Sequence, residues 1–401
     1  MVNTGDVFDG HVAVDVEFRV SEELHSKFRR SILRGGELLV TLVGANFGRV
    51  AIAPDRFAGY NCSRAVGVVP VMEDSVYVMY ALRSPLSRHF MNIWANTTAQ
   101  PTFNLKELGC LPVPIAPSES RAAIKTLLTA LDDRIALLRE TNATLEAIAQ
   151  ALFKSWFVDF DPVRAKQQGL APAGMDEATA ALFPDSFEES ALRLVPKGWR
   201  TCSMADVSTV GIGKTPPRKE SQWFSETPSD VRWVSIRDMG AAGAFAFNTS
   251  EYLTSEAIDR FNVRVVPDNT ALLSFKMTIG RVAITDGEMT TNEAIAHFKL
   301  DVTSPVSTEY IYLSLRAFDF SRLSSTSSIA DAVNSKTVRE LPLVVPDTVV
   351  LRAFQDVVAP VFQRIKVIGK QAQTLATLRD TLLPRLISGQ LRLPEDEALA
   401  A

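Results

Sequence analysis

The 401-residue sequence has few of the features that mark secreted, membrane-spanning or disulfide-stabilised proteins. Its three cysteines, Cys62, Cys110 and Cys202, are odd in number and far apart, which fits a reducing compartment better than a disulfide framework. No uninterrupted apolar run approaches the roughly 18 residues that a membrane span needs. The start, MVNTGDVFDGHV, is polar and acidic and therefore unlike a signal peptide. These absences predict a cytoplasmic protein with no membrane contact.

Catalytic and metal-binding patterns are also scarce. The four histidines are scattered, and none lies at metal-ligand spacing from a cysteine or carboxylate. The segment 211–215, GIGKT, resembles a phosphate-binding loop, but Ser208 stands where a Walker A loop needs glycine, and Pro216 and Pro217 would spoil the helix that should follow. No nucleophile elbow or dinucleotide fingerprint occurs. We therefore expect a chain that is not an enzyme by itself and that holds no metal or cofactor.

Overall charge gives little guidance on partners. The formal net charge is -4, so nothing in the whole chain indicates a polyanion partner. A local basic patch can still occur in an acidic protein. Charge alone therefore leaves nucleic-acid binding open.

One long amphipathic stretch organises the chain. Between Ser120 and Phe157 the apolar residues follow a heptad pattern for more than four repeats, without glycine or proline, which predicts a long helix with a partner of equal length. Asn142 is the one polar residue in this seam, and a single polar seam residue can fix the register of helix pairing. The remaining predicted seam residues of this helix are Ile124, Leu128, Leu131, Ile135, Leu138, Leu145 and Leu152.

A second copy of the pattern supplies that partner. The segment GRVAI (48–52) returns as GRVAI (280–284), and Asn61 is matched with Asn292. At an offset of 230 residues, the seven apolar seam positions become Phe354, Val358, Val361, Ile365, Ile368, Leu375 and Leu382. A collinear series of this kind indicates a tandem repeat of an α+β domain followed by a long helix. We expect the two helices to form an antiparallel coiled coil within one chain.

The predicted fold class is α+β, with two similar recognition domains separated by the paired helices in a pseudo-two-fold repeat. Trp233 aligns with Met1, so we expect the first domain to be incomplete at its start. Within that domain, 35–54 reads as two strands around a glycine turn, and 75–92 begins like a strand. The predicted boundaries are domain one at 1–117, first helix at 118–158, connector at 159–195, domain two at 196–348, second helix at 349–390 and tail at 391–401.

Two stretches resemble a known family. LDDRIALLRETNATLEAIAQALFKSWFVDFDPVRAK (131–166) and LLPRLISGQLRLP (382–394) resemble the specificity subunits of type I restriction–modification enzymes. The resemblance implies a non-catalytic, cytoplasmic reader of a two-part double-stranded DNA target. It also implies two methyltransferase subunits and motor-nuclease subunits as partners. S-adenosylmethionine, ATP and Mg²⁺ would then be bound by those partners. The alternative is a partly defective subunit that holds the methyltransferase and reads one half-site.

The candidate DNA contacts are basic and amide residues near predicted loops. Lys214, Thr215, Arg218 and Lys219 lie around a Gly/Pro loop suited to phosphates, although a solvated turn would have the same composition. Arg237 could read guanine or pair with Asp238, and Asn292 could contact adenine or cap a turn. The further candidates are Lys276 and Asn334 in the second domain, and Asn46, Arg49, Asn61, Arg64 and Gln100 in the first.

Overall fold

The protein divides into two compact units. The structure is a computed structural model that describes residues 1–71, 73–95, 102–190, 194–324 and 333–393. Unit 1 contains Met1–Leu137 and Ala372–Ala401, and unit 2 contains Leu138–Gln371. Both long helices begin in one unit and end in the other. Among the described residues, no helix is long and apolar enough to cross a membrane.

Unit 1 combines short strands with helices. Its central sheet is antiparallel in the order β4-β3-β5, and β1 pairs with β2 beside it. Two short 3₁₀ turns occupy Arg29–Ser31 and Asp55–Phe57. The elements of the unit in chain order are β1 (Val7–Phe8), β2 (His11–Val12), α1 (Glu22–Lys27), β3 (Leu38–Thr41), β4 (Val50–Ile52), β5 (Val66–Val69), α2 (Ser75–Arg83), α3 (Pro85–Trp94), α4 (Leu105–Gly109) and the first part of α5 (Ser118–Phe153).

The core of unit 1 is formed where the sheet meets the helices. One face of the sheet contributes Leu38 and Val40, which join a buried cluster with Tyr77 and Tyr80 of α2. Leu128 of α5 lies in the same cluster and is fully buried. Burying each such side chain contributes about 1.5–3 kcal/mol. The helix segments therefore complete the core of this unit.

Unit 2 has the same plan with more strands. A five-stranded sheet has the order β12-β15-β14-β17-β9, and a four-stranded sheet has the order β10-β13-β11-β16. A π-helical turn, Lys154–Val158, extends α5, and a 3₁₀ turn occupies Ser221–Trp223. The other elements are α6 (Asp161–Gln167), α7 (Glu177–Ala181), β6 (Phe187–Glu189), β7 (Leu194–Pro196), β8 (Arg200–Ser203), α8 (Met204–Val207), β9 (Thr209–Ile212), β10 (Phe224–Ser225), β11 (Val231–Val234), α9 (Ile236–Ala241), β12 (Phe245–Ala246), β13 (Glu251–Leu253), α10 (Ser255–Phe261), β14 (Ala271–Ser274), β15 (Val282–Thr285), β16 (Thr290–Thr291), β17 (Ile295–Lys299), α11 (Thr308–Ala317), α12 (Ser321–Ser324), α13 (Ser335–Arg339), β18 (Pro342–Val345) and α14 (Thr348–Ile387).

An aromatic cluster joins the helices of unit 2 to one another. Phe354 of α14 is 1% exposed, and its ring lies 4.8 Å from Phe157 and 5.6 Å from Trp156. Tyr310 of α11 lies 5.1 Å from Phe157. Edge-to-face packing of this kind adds about 0.5–1.5 kcal/mol per pair beyond area burial. The FKSWF segment is therefore a packing element of this unit.

The helix segments within each unit run antiparallel, as predicted. In unit 1, Asp132 of α5 accepts a hydrogen bond from Arg379 of α14 at 2.5 Å, and Ile124 shares a cluster with Leu386. In unit 2, the Asn142 amide donates to the Ile365 carbonyl at 3.1 Å. The predicted seam residues are buried or half-buried throughout. Further buried residues that the heptad pattern did not single out are Phe362, Leu383, Leu386 and Ile387.

The backbone hydrogen bonds show the internal repeat and correct one of its matches. Ser63 donates its N–H to the carbonyl of Val2 at 2.8 Å, and Asn292 donates in the same way to Val234 at 3.0 Å. Ser63 is therefore the counterpart of Asn292, and the match of Asn61 with Asn292 is wrong. The reason is that the segments before this turn differ in length, which identity of residue type cannot reveal.

The expected strand at the start of 75–92 is also wrong. Ser75–Arg83 is the helix α2, with Tyr77, Met79, Tyr80, Ala81 and Leu82 buried. A short, continuously apolar segment fits a buried helix as well as a strand. The hairpin predicted at 35–54 is confirmed by the antiparallel pairing of β3 with β4.

Candidate nucleic-acid interface

Four segments of unit 2 come together at one end of its sheets. They are loop 213–219, turn 291–294, the β14–β15 hairpin tip at 275–280, and α9. Asn292 donates its N–H to the Val234 carbonyl, one residue before the N-cap of α9. Phe275 donates its N–H to the Ala294 carbonyl at 2.9 Å. Turn 291–294 therefore connects the hairpin tip to the strand that leads into α9.

Loop 213–219 is held against this turn by its backbone. Gly213 donates to the Ile295 carbonyl at 3.0 Å, and Lys214 donates to the Thr291 carbonyl at 2.8 Å. The indole N–H of Trp233 donates to the Lys214 carbonyl at 3.3 Å. A Cβ at position 213 would lie against the Thr291 and Asn292 carbonyls, closer than van der Waals contact allows. Glycine is therefore required here by the close approach of two backbones.

Arg218 anchors the other end of the loop. Its guanidinium lies 4.2 Å from the Phe224 ring centroid and 4.5 Å from that of Trp233. It also makes a bidentate ion pair with Glu251, at 2.7 and 3.0 Å. Cation–π stacking and a two-point carboxylate contact together fix the orientation of the side chain. A direct DNA contact by Arg218 stays a prediction, and the contacts seen indicate a residue that positions the loop.

The cations around the loop are exposed. Lys214, Lys219, Arg237 and Lys276 all point to solvent, and the described part of the chain offers none of them an ion-pair partner. Asp238 does not pair with Arg237, because its carboxylate accepts from Ser235 and from the Ser250 N–H at 3.0 Å. Several unpaired cations beside donor-rich turns are an arrangement suited to phosphate groups.

The polar candidates of unit 2 have mixed roles. Asn292 uses its side-chain carbonyl to accept from the Ala294 N–H at 3.0 Å, so it caps the turn. The Thr215 hydroxyl donates to Glu293. Asn334 is the N-cap of α13 and accepts from the backbone of Lys336 and Thr337. These side chains stabilise loop geometry, and their contact with bases stays a prediction.

The candidates in unit 1 are more strongly engaged in local structure. Asn46 donates to the Thr4 carbonyl at 3.2 Å, and Arg49 donates to the Val7 carbonyl at 3.3 Å. Asn61 is 5% exposed and bonds the His25 ring and the Ser31 hydroxyl. Arg64 is exposed and makes no ion pair within the described residues. Gln100 lies outside the described residues.

The structure also shows a basic cleft that the sequence reasoning missed. Arg29, Arg30 and Arg34 of unit 1 line a cleft of about 1040 Å³, together with His25 and Glu22. The sequence signal for this cleft is the run FRRSILR at 28–34, in which three arginines fall within seven residues.

Comparison with known proteins gives the family context of these sites. The chain is 25% identical over 437 aligned residues to the HindI specificity subunit of the type I restriction enzyme of Haemophilus influenzae, covering 97% of this chain and 94% of that protein. It is 23% identical to the MjaIX specificity subunit of Methanocaldococcus jannaschii, covering 94% and 83%. A crystal structure of a type I S subunit from M. genitalium aligns with a TM-score of 0.48 at 15% identity, covering 88% and 83%. No family model matches the chain.

The two sequence matches confirm the resemblance drawn from 131–166 and 382–394. The chain is similar to type I restriction enzyme specificity subunits along nearly its whole length.

Proposed function

We propose that this chain is the DNA-reading specificity subunit of a type I restriction–modification system. The observation that carries the proposal is the set of exposed, unpaired cations held around turn 291–294 of unit 2. Lys214 and Lys219 lie on a loop whose backbone is pinned by hydrogen bonds at Gly213 and Lys214, so little backbone entropy is lost on binding. Unit 1 repeats the underlying framework, which fits a target with two parts.

Within the site the roles divide by chemistry. Lys214, Lys219 and Lys276 contact backbone phosphates, since ammonium groups act there as point charges and carry no sequence information. Arg237 is the candidate for base reading, because a free guanidinium can bind guanine through two hydrogen bonds. Arg218 keeps the loop in place through Trp233, Phe224 and Glu251. Sequence choice therefore depends on Arg237, and the loop that Arg218 supports positions phosphate contacts.

Partner subunits supply the chemistry. Two methyltransferase subunits dock on the outward faces of α5 and α14, and motor-nuclease subunits join the complex. Each unit has exposed apolar side chains on these helices, among them Ile148 at 55% and Val357 at 50% in unit 2, and Leu378 at 45% in unit 1. Surfaces of this kind become buried on protein association. S-adenosylmethionine, ATP and Mg²⁺ are bound by those partners.

The test is DNA binding by loop variants of the full chain in complex with its methyltransferase. The probe is a duplex library of randomised sequence, with recovered duplexes sequenced and affinity measured across a salt series. Lys214→Ala with Lys219→Ala should weaken binding about tenfold or more and lower the salt slope by roughly 2, because each phosphate contact releases about one counterion. Lys336→Ala is the control, since Lys336 is 80% exposed and pairs within α13.

Two results would contradict the proposal. One is recovery of no common sequence by the wild-type complex. The other is equal affinity and salt slope for the double variant and the Lys336→Ala control.

A further inference from the structure

The tip of the β14–β15 hairpin carries an exposed apolar side chain in an unfavourable backbone conformation. Met277 is 95% exposed and has φ +60°. The other non-glycine residues with positive φ in the described chain are Asp74, Asn262 and Asn269, which tolerate this region, and Phe160, which is buried. Met277 therefore accepts backbone strain without gaining any burial in return.

The equivalent hairpin of unit 1 carries a glycine near its tip. Leu42 donates its N–H to the Ala65 carbonyl at 2.8 Å, just as Phe275 donates to Ala294 at 2.9 Å, so Leu42 and Phe275 are equivalent. Gly44 follows two residues after Leu42 and has φ +89°, although the loop that Gly48 closes on Thr41 is one residue longer than the loop that Gly280 closes on Ser274. A positive φ at such a tip suits glycine, and the methionine side chain of unit 2 therefore needs a reason other than folding.

The residues around Met277 indicate what kind of partner would bury its side chain. The Phe275–Ala294 hydrogen bond ties the tip to turn 291–294, against which the Lys214 loop is docked. On the other arm of the hairpin, Arg281 donates to the Ile236 carbonyl at 2.6 Å, next to the exposed Arg237. The residue before the tip is the exposed Lys276. Met277 therefore lies next to Lys276 on a hairpin that is tied to turn 291–294 and to α9, and a polyanion is the fitting partner for the exposed cations of these segments.

We propose that Met277 is a specificity-determining residue that packs against base edges in a DNA groove. This inference rests on the proposed function of unit 2. A thioether side chain is flexible and polarisable, which suits contact with an apolar feature such as a thymine methyl group. The flanking cations bind phosphates and the methionine reads the base surface between them. The left-handed backbone directs the side chain outward.

The experiment uses the full chain with its methyltransferase and the same randomised duplex library. Met277→Gly places at the tip the residue type that adopts a positive φ without steric cost, so thermal unfolding should be unchanged within error. Affinity for the recovered target should fall about tenfold, the effect of losing a largely buried methionine contact. The salt slope should stay the same, and base preference should relax at one or two neighbouring positions of the target.

Three further variants separate the possible causes. Met277→Ala keeps the Cβ and should also lose affinity and base preference. Lys276→Ala should weaken all sequences alike and lower the salt slope by about 1. Val302→Ala is the matched control, because Val302 is a fully exposed apolar residue of the same unit. It should bind as wild type does.

The inference is overturned if both Met277 variants match Val302→Ala in affinity and in recovered sequence. It is also overturned if they weaken all sequences equally, as a phosphate contact would. If the wild-type complex recovers no common sequence, the proposed function fails instead, so the two failures are distinguishable.

Discussion

The two units share a framework but differ at the surface where the candidate contacts lie. In unit 2, β17 pairs with β14 on one side and with β9 on the other. In unit 1 the equivalent strand β5 pairs with β3, and the described residues supply no strand for its second edge. Loop 213–219 continues directly from β9, so unit 1 has no described counterpart of that loop either. The framework therefore forms without the loop that carries Lys214.

The turn beside that loop differs in charge as well. Counting from the matched residues Ser63 and Asn292, Arg64 of unit 1 corresponds to Glu293 of unit 2. Glu293 accepts a hydrogen bond from Thr215 and so holds the basic loop. Arg64 is itself an exposed cation, and the described residues of unit 1 give it no such loop to hold. At this matched position, Glu293 of unit 2 holds a basic loop, whereas Arg64 of unit 1 is itself the positive charge.

The largest expected effect comes from truncating the helix seam at a matched position in each unit. Phe354→Ala removes a ring that contacts Phe157, Trp156 and Tyr310, so we expect a loss of about 4 kcal/mol in the free energy of unfolding. The counterpart Ile124→Ala should cost about 3 kcal/mol, because it removes fewer atoms. Chemical denaturation of the full chain measures both. Val349→Ala is the control, because Val349 is a 53% exposed residue of α14 and its truncation should change the free energy of unfolding little. If Phe354→Ala lost no more stability than Val349→Ala, the aromatic packing would not be what stabilises the seam.

A second comparison concerns the carboxylates that face α14. Asp132 accepts from Tyr80, Arg83 and Arg379 in unit 1, and Asp286 accepts from Lys366 and Lys370 in unit 2. Burial alone would raise each carboxyl pKa, but the paired cations outweigh it and hold both pKa values below the ordinary 3.8. Asp132→Asn should cost about 2 kcal/mol, and Asp286→Asn about 1 kcal/mol, because Lys370 is largely exposed.

The pH dependence of these losses follows from the sign of the shifts. A depressed carboxyl pKa stabilises the folded state fully above the unfolded-state pKa, and that contribution is lost as pH falls through the folded-state value. The gap between wild type and Asp132→Asn should therefore be constant near neutral pH and shrink below about pH 4. Denaturation at a series of pH values tests this, and a gap that widens in acid would reverse the assignment.

A third prediction targets the loop that distinguishes unit 2. Gly213→Ala places a Cβ against two backbone carbonyls, which should displace the loop and weaken DNA binding by roughly tenfold, or about 1–2 kcal/mol. Gly243→Ala is the matched control, because a Cβ there meets nothing within 4 Å. Binding to the recovered target measures the effect. Equal affinity of the two variants would show that the loop position is unimportant for DNA.

The smallest expected effect is at the polar seam residue. Asn142 matches Ala372 in the repeat, and its amide donates to the Ile365 carbonyl. Its side-chain oxygen is buried and finds no hydrogen-bond donor among the described residues. Asn142→Ala therefore loses one hydrogen bond and relieves one unsatisfied acceptor, for a net cost of about 0.5–1 kcal/mol. A loss above about 3 kcal/mol in denaturation would mean that Asn142 is a main source of stability and not a register device.

The long helices and the repeat could be predicted from the sequence because both are periodic. Heptad spacing identifies residues such as Leu128 and Ile365 without any knowledge of the sheets. The contact surface could not be predicted in the same way, because it depends on which side chains are already engaged. Arg218 and Arg237 look alike in the sequence, yet one is stacked on Trp233 and the other is free of ion pairs in the described structure. Only three-dimensional pairing distinguishes them.

Local identity was also a weaker guide than hydrogen-bond topology. The match of Asn61 with Asn292 rested on residue type, whereas the backbone bonds assign Ser63 to that position. Met277 could not be predicted as a contact residue from the sequence, because a methionine in a loop is not distinctive until its φ angle and its exposure are known. Residues that determine the fold recur at regular spacing along the chain and can be recognised by that spacing, whereas residues that could contact DNA occur singly and show no such pattern.

The most direct test of the central claim is methylome sequencing of cells that express this chain with its methyltransferase subunit. If the chain reads a two-part target, one interrupted motif should be methylated only when the chain is present. Replacing residues 196–348, the second predicted domain, with the matching residues of a relative should change one half of the motif and leave the other half intact. A methylome without such a motif, or one unchanged by deleting the chain, would contradict the account.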